Sequence, residues 1–243
     1  MTGATAMSEE VAFLNHLNSI SSGNSDFAIV DDGVIIKWHE SPDTLEFRHS
    51  YSEAQFLKRV RQPGQALVKS CNNRQHSIKN LLDLTGGWGV DSFILAHHGL
   101  SVTMLEQNEL VFNISAHSLN CARLISSTSA AANRIELIHT SSVDFLLGND
   151  LAGSFDCIYL DPMFPDHKST AKPAKDMQIL QHLTDNQDIE QCFELALEKA
   201  KTRVVVKRPA KSQPISSLAP DLVYKQKTIR FDVYLSNNTA RRQ

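Results

Sequence analysis

A chain of 243 residues, 42% hydrophobic and 21% charged, has the length and composition of an α/β domain with an appendage, or of two small domains, around an ordinary core. Its 24 Lys and Arg against 27 Asp and Glu leave a formal charge of −3, which excludes a long, uniformly basic nucleic-acid face; a polyanion would have to be met by local clusters. Apolar runs fall short of the roughly 20 residues that cross a bilayer, and Met1–Leu17 lacks a basic stretch followed by an apolar block, so a cytoplasmic protein with no membrane partner is expected.

In chain order, residues 1–79 carry the apolar runs Phe27–Val30 and Val34–Trp38 on either side of Asp32-Gly33, which predicts a β-hairpin. Thr44–Phe47 is a third strand. Tyr51–Asn73 reads as helix interrupted at Pro63-Gly64. In residues 80–243 short apolar runs alternate with helical patterns. Strands are expected at Leu81–Leu84, Val102–Leu105, Ile135–Ile138, Cys157–Leu160, Arg203–Val206, Leu222–Tyr224 and Ile229–Leu235, with helices at Val90–His98, Leu110–Ser126 and Asp188–Lys201. Such alternation predicts a largely parallel sheet covered by helices on both faces. The last two strands, joined only by Lys225-Gln226-Lys227, predict an antiparallel hairpin at the sheet edge. The expected fold class is therefore α/β: a doubly wound, Rossmann-like sheet of order 3-2-1-4-5-7-6, formed by residues 80–243, preceded by a small α+β subdomain of residues 1–79 that could face a substrate.

The first segment that carries chemistry is Leu82–Asp91. The strand Leu81–Leu84, which contains Asp83, runs into a turn with Gly86, Gly87 and Gly89, and a helix follows. Glycine permits positive φ or a close ligand approach, and a new helix offers free N–H groups to an anion. Ser92 stands where the dinucleotide fingerprint wants its third glycine, and no Gly-Lys-Ser/Thr follows, so neither that fingerprint nor the P-loop is matched. Glu106 ends the second strand, where an acidic side chain can accept from both hydroxyls of a ribose. Ser141-Ser142 follows the third strand; these serines either line an adenine site or cap a helix.

The fourth strand leads into Asp161-Pro162-Met163-Phe164-Pro165. In this strand order the first and fourth strands are neighbours at the topological switch point, so the glycine turn and this segment face one crevice. The lone pair of an exocyclic amine is delocalised into its ring, and methylating it requires acceptors for the N–H protons. The Asp161 carboxylate and the Pro162 carbonyl can supply them; proline adds stiffness without a competing N–H, and Phe164 offers a face for an unstacked base. Asp161, Pro162 and Phe164 are thus the candidate catalytic residues. His167, Lys168, Lys172 and Lys175 follow on the next loop, and Lys207-Arg208 follows the fifth strand. On the carboxyl edge of the sheet these cations either meet RNA phosphates or are simply solvated. Cys71, Cys121, Cys157 and Cys192 form no C-x-x-C pair, and no histidine stands in a metal-like spacing, so no metal is expected.

Leu82–Asp91, Met104–Glu106, Leu137–Ser142, Tyr159–Pro165, Arg203–Pro209 and Arg230–Tyr234 together resemble the ribosomal small subunit methyltransferase J family, across residues 80–235. The resemblance implies a class I methyltransferase fold and transfer of a methyl group from S-adenosylmethionine to the N2 amine of a guanine in 16S rRNA, free or in the small ribosomal subunit. It further implies cofactor contacts at Val90-Asp91, Glu106-Gln107, Ser141-Ser142 and Asp161. The chain departs from the family at Val90 and Gln107, where arginine is usual, and Arg59–Gly64 stands in place of a glycine- and arginine-rich segment. The competing readings are an amine methyltransferase acting on DNA or a protein glutamine, and a catalytically idle RNA-binding protein of the same fold. A nicotinamide oxidoreductase explains the glycine turn and Glu106 but leaves Asp161–Phe164 without a role.

Overall fold

The computed structural model describes residues 2–21, 23–40, 42–72, 78–148, 153–162, 174–183 and 188–236. In chain order they form α1 (Thr2–Ile20), β1 (Ser25–Val30), β2 (Gly33–Glu40), β3 (Asp43–Ser50), α2 (Ala54–Val60), α3 (Ala66–Cys71), β4 (Asn80–Asp83), α4 (Val90–His97), β5 (Ser101–Glu106), α5 (Glu109–Leu124), α6 (Ser129–Ala132), β6 (Ile135–His139), α7 (Ser142–Gly148), β7 (Cys157–Leu160), α8 (Lys175–Leu183), α9 (Ile189–Lys199), β8 (Arg203–Pro209), β9 (Leu222–Lys225) and β10 (Ile229–Leu235). No helix among these residues is long and apolar enough to cross a membrane.

Seven strands make one sheet in the order β6-β5-β4-β7-β8-β10-β9. The first five run parallel, and β10 lies antiparallel between β8 and β9. Renumbered within this sheet, the order is the expected 3-2-1-4-5-7-6, and the fold is Rossmann-like. Its central strands are apolar on both faces, as parallel strands covered by helices must be; β7 is buried at all four residues. The two-residue side-chain alternation divides the core. Leu81, Tyr159 and Val205 face the layer of α3 and α4 with Phe93 and Ile94, whereas Leu82, Ile158, Val204 and Val206 face α7 and α9 with Leu146 and Phe193.

A second, antiparallel sheet of order β1-β2-β3 precedes it. Val30 pairs with Gly33, so the hairpin turn is Asp31-Asp32, one residue earlier than expected. Gly33 instead begins β2, at a point where a side chain would strike the His49 carbonyl. The helix α1 went unanticipated: Phe13, Leu17 and Ile20 keep the i, i+4, i+7 spacing of one packed face, but the exposed Met7 and Val11 blur that pattern. Residues before Asn80 bury their apolar side chains against later elements: Val34, Ile36 and Trp38 pack with Leu110, Val111 and Ile114 of α5 and with Ile179 of α8. Tyr51, Val60 and Leu67 join the α4 face of the large sheet.

The step from β4 into α4 is held by Asp83, only 2% exposed. Its Oδ1 accepts from the Thr85 N–H at 3.0 Å and its Oδ2 from the Ser92 hydroxyl at 2.6 Å. Burial, only partly offset by these bonds, pushes the Asp83 carboxyl up from 3.8 to about 7. A carboxyl raised on folding stabilises the protein while protonated: the contribution is complete below pH 3.8 and is lost as pH rises through about 7. Asp83→Asn, neutral throughout, is therefore expected to remove a fall in stability on the order of a few kcal/mol across that window. Thermal unfolding of both proteins across that window tests this, and parallel Tm profiles would refute it.

Candidate active site

The glycine turn is stitched to its neighbours on both sides. The Gly86 N–H donates to the Leu105 carbonyl at 2.8 Å, and a Cβ on Gly86 would lie 2.7 Å from that same oxygen, so the turn approaches β5 more closely than any side chain permits. Gly89 takes φ +66° and starts α4 with no side-chain cap, leaving the first-turn N–H groups available to a ligand. Glu106, 5% exposed at the tip of β5, accepts from the Gly87 N–H and the Asn108 N–H, both at 2.7 Å. Burial raises its carboxyl despite those bonds. On the opposite side the Thr85 hydroxyl accepts from the Asp161 N–H at 2.6 Å, tying the turn to the tip of β7. Glu106 and Asp161 thus flank one turn.

Behind Asp161 lies a cluster of charges. Lys207 on β8 donates to Asp161 Oδ2 at 2.6 Å and to Asp91 Oδ2 at 2.8 Å. Asp91, in the first turn of α4, also accepts from the Tyr159 hydroxyl at 2.7 Å and has Arg59 at 3.7 Å. Burial opposes the Asp91 charge, but Lys207, Tyr159 and Arg59 outweigh it and hold this carboxyl below its ordinary range. Asp161 has the reverse balance. Burial and the neighbouring Asp91 push it up, and Lys207 offsets only part of that. Burial disfavours the Lys207 charge, yet the two carboxylates hold its ammonium well above the usual lysine value, so it stays protonated.

Pro162 is buried beside Asp161. Phe164, Lys168 and Lys172, with Met163, Pro165 and His167, lie outside the described residues. Lys175 begins α8. The Ser141 hydroxyl accepts from the Asp144 N–H at 3.0 Å, the capping option, and the Ser142 hydroxyl donates to the Leu84 carbonyl at the end of the glycine strand. Val90 is half-buried, and Gln107 is half-buried with its carbonyl 3.0 Å from His139 Nε2. The expected phosphate contacts on β8 are otherwise engaged. Strand alternation turns Arg208 to the face opposite Lys207, where it is 7% exposed and donates to Ser212 Oγ at 3.3 Å and to the Gln213 carbonyl; Lys207 is held by the two carboxylates. Sequence reasoning missed Thr85, Tyr159, Tyr51 and Trp88. Tyr51 donates to the Trp88 carbonyl at 3.0 Å, and the Trp88 indole donates to the Asp176 carbonyl at 3.0 Å. The hydroxyl next to Gly86 was the one available signal among these.

These groups fit S-adenosylmethionine. An acceptor at the β5 tip suits a ribose diol, an uncapped helix start suits a carboxylate, and an acceptor at the β7 tip borders the turn between them.

The chain matches the family model described as "Putative SAM-dependent methyltransferase" over residues 17–236. It is 40% identical over 172 residues to the ribosomal RNA small subunit methyltransferase J of Coxiella burnetii (strain Dugway 5J108-111), covering 70% of this chain and 66% of that protein. It is 31% identical over 238 residues to the protein of the same name from Francisella philomiragia, covering 93% and 98%. The crystal structure of a SAM-dependent methyltransferase from Neisseria gonorrhoeae superposes with a TM-score of 0.70 at 26% identity, covering 93% of this chain and 92% of that one. The chain belongs to the SAM-dependent methyltransferase family, within the group of the ribosomal RNA small subunit methyltransferase J proteins.

Proposed function

We propose that this enzyme transfers the methyl group of S-adenosylmethionine to the N2 amine of a guanine in 16S rRNA, in the cytoplasm. One observation carries the reading: Asp161, at the tip of β7, is hydrogen-bonded to the glycine turn through Thr85 and to a buried ammonium through Lys207. The bound cofactor would supply an electrophilic methyl on a sulfonium: its S–CH3 bond would break as the N–CH3 bond forms, leaving a neutral thioether, and the amine would give up one proton to solvent. Every other requirement falls to the protein. An aniline-like nitrogen attacks only when its lone pair leaves the ring, and acceptors on its N–H groups favour that geometry. The ionised Asp161 carboxylate accepts one N–H, and the Pro162 carbonyl is the second acceptor. Thr85 fixes the Asp161 backbone and Lys207 its carboxylate, so that the amine is held for in-line attack, and this positioning accounts for most of the rate. Phe164 stacks on the base. Glu106 holds the ribose, and the start of α4 holds the amino-acid end of the cofactor. The relatives named ribosomal RNA small subunit methyltransferase J support the choice of RNA substrate.

Tritiated methyl transfer to small subunits from a strain lacking this modification, followed by nucleoside analysis, is expected to give N2-methylguanosine. Label confined to DNA or protein would sink the substrate assignment. Asp161→Ala and Glu106→Ala are expected to fail differently. The first lowers kcat by at least about a hundredfold with cofactor affinity little changed, as loss of a group acting chiefly at the transition state does. The second raises the cofactor Kd, read by calorimetry, by about tenfold or more. Equal behaviour of the two variants would contradict the separate roles.

Lys207→Met tests the ionisation of Asp161. Burial already raises Asp161 and Lys207 draws it back, so removing the ammonium raises it further. The acidic limb of the kcat profile is then expected to move to higher pH, with activity recovered in alkali. A uniform loss at every pH would argue against this account.

A further inference from the structure

A cavity of about 260 Å³ is bordered by Lys207, which also reaches Asp161. Its floor is the Asp91–Lys207 pair, its inner wall includes Phe231, and its rim carries Arg59 and Gln62 from the α2–α3 segment and Gln226 from the β9–β10 turn. The two segments meet because α3 packs on β9 and β10. Their charge is one-sided. Residues 54–71 contain Lys58, Arg59, Arg61 and Lys69 and no acidic residue; residues 222–231 contain Lys225, Lys227 and Arg230 and none either. Lys58, Arg59, Arg61, Lys69, Lys225 and Lys227 are all exposed. A chain of net charge −3 thus brings together two segments that carry only basic charge, joined where α3 packs on β9 and β10, and the carboxylate in the floor is neutralised by Lys207 and Arg59.

We propose that this face is the RNA-docking surface: its basic rim takes backbone phosphates and the cavity receives one nucleobase of the strand that delivers the target guanine. The inference rests on the RNA reading of the function and specifies where that RNA lies. Three features match such a ligand. Exposed Lys and Arg on two adjoining segments that hold no acidic residue of their own are the footprint of phosphate binding. The carboxamides of Gln62 and Gln226 offer both donors and acceptors, which suits the edge of a base in unpaired RNA. The shared Lys207 makes the cavity floor the back of the transfer site, so a strand lying here ends beside Asp161. The basic residues of this face come from the α2–α3 and β9–β10 segments.

Two variants, both at exposed positions, test the proposal. Arg61→Ala/Lys225→Ala/Lys227→Ala is expected to weaken binding to unmethylated 16S rRNA by more than tenfold. It is also expected to lower the steepness of log K against log salt by about 2, at roughly 0.7 to 0.9 for each phosphate the protein no longer neutralises. Gln62→Ala/Gln226→Ala is expected to raise the KM for RNA by about tenfold with kcat held within about twofold, the size of one hydrogen-bonded base edge. Calorimetry is expected to give the wild-type Kd for S-adenosylmethionine in both. An unchanged salt slope and KM would overturn the proposal, and so would a raised cofactor Kd in the glutamine variant, which would make the cavity part of the cofactor site. Wild-type enzyme that binds RNA with the expected slope but transfers no methyl to it would count against the proposed reaction while upholding the docking face.

Discussion

Where α4, β7 and β8 converge, one ammonium is shared by two carboxylates. Lys207 reaches Asp91 at 2.8 Å and Asp161 at 2.6 Å, and the Tyr159 hydroxyl donates to the same Asp91 oxygen. A lone carboxylate at this depth would be costly and would shed its charge by taking up a proton. Sharing Lys207 makes two ionised acids tolerable in one place, and the role proposed for Asp161 requires it to be ionised. The same bridge links the first turn of the cofactor helix to the tip of the fourth strand and to the fifth. Removing one member of such a cluster leaves the others buried and unmatched, so its charges stand or fall together.

The smaller sheet acts on this centre indirectly. Its third strand leads to Tyr51, which reaches the backbone of Trp88 inside the glycine turn. Phe47 and His49 lie 5.5 and 5.1 Å from the Trp88 ring, centre to centre. His49 is fully enclosed, and burial pulls its imidazole down to about 3, so it is neutral packing material at any physiological pH. Tyr51 also stacks on Phe93 of α4 at 4.7 Å. The early part of the chain thus buttresses both ends of the cofactor turn.

The order of the large sheet was legible because each of its strands is a short apolar run bounded by glycine or polar residues, and because such sheets admit few topologies. Glu106 and Asp161 were legible for a related reason: an acidic residue directly after a buried strand lies at the carboxyl edge, where open α/β sheets bind their ligands. What stayed hidden depended on distant partners. Lys207 and Asp91 are 116 residues apart, and nothing local distinguishes a lysine in an ion bridge from one awaiting phosphate. Arg208 points away from its neighbour by simple alternation, but its burial follows from Ser212 and Gln213 folding back over it. At Ser141 capping was one of two open options, and the bond to Asp144 is that of a cap. In α1 the regular face of Phe13, Leu17 and Ile20 is masked by the exposed Met7 and Val11, which spread apolar residues around the helix.

The clasp on Trp88 bears on how the cofactor is received. Its carbonyl is held by Tyr51 and its indole by Asp176, residues that lie on either side of it in the chain, while Gly86, Gly87 and Gly89 each spend their amide hydrogens on neighbouring backbone or on Glu106. A turn gripped in this way does not fray by itself; its amide protons exchange with solvent only when the packing between the two sheets opens as a unit. Little chain entropy then remains to be removed when S-adenosylmethionine arrives. The enzyme receives its methyl donor in a stiff cradle, and affinity is decided by shape and hydrogen-bond match instead of by the cost of ordering a loop.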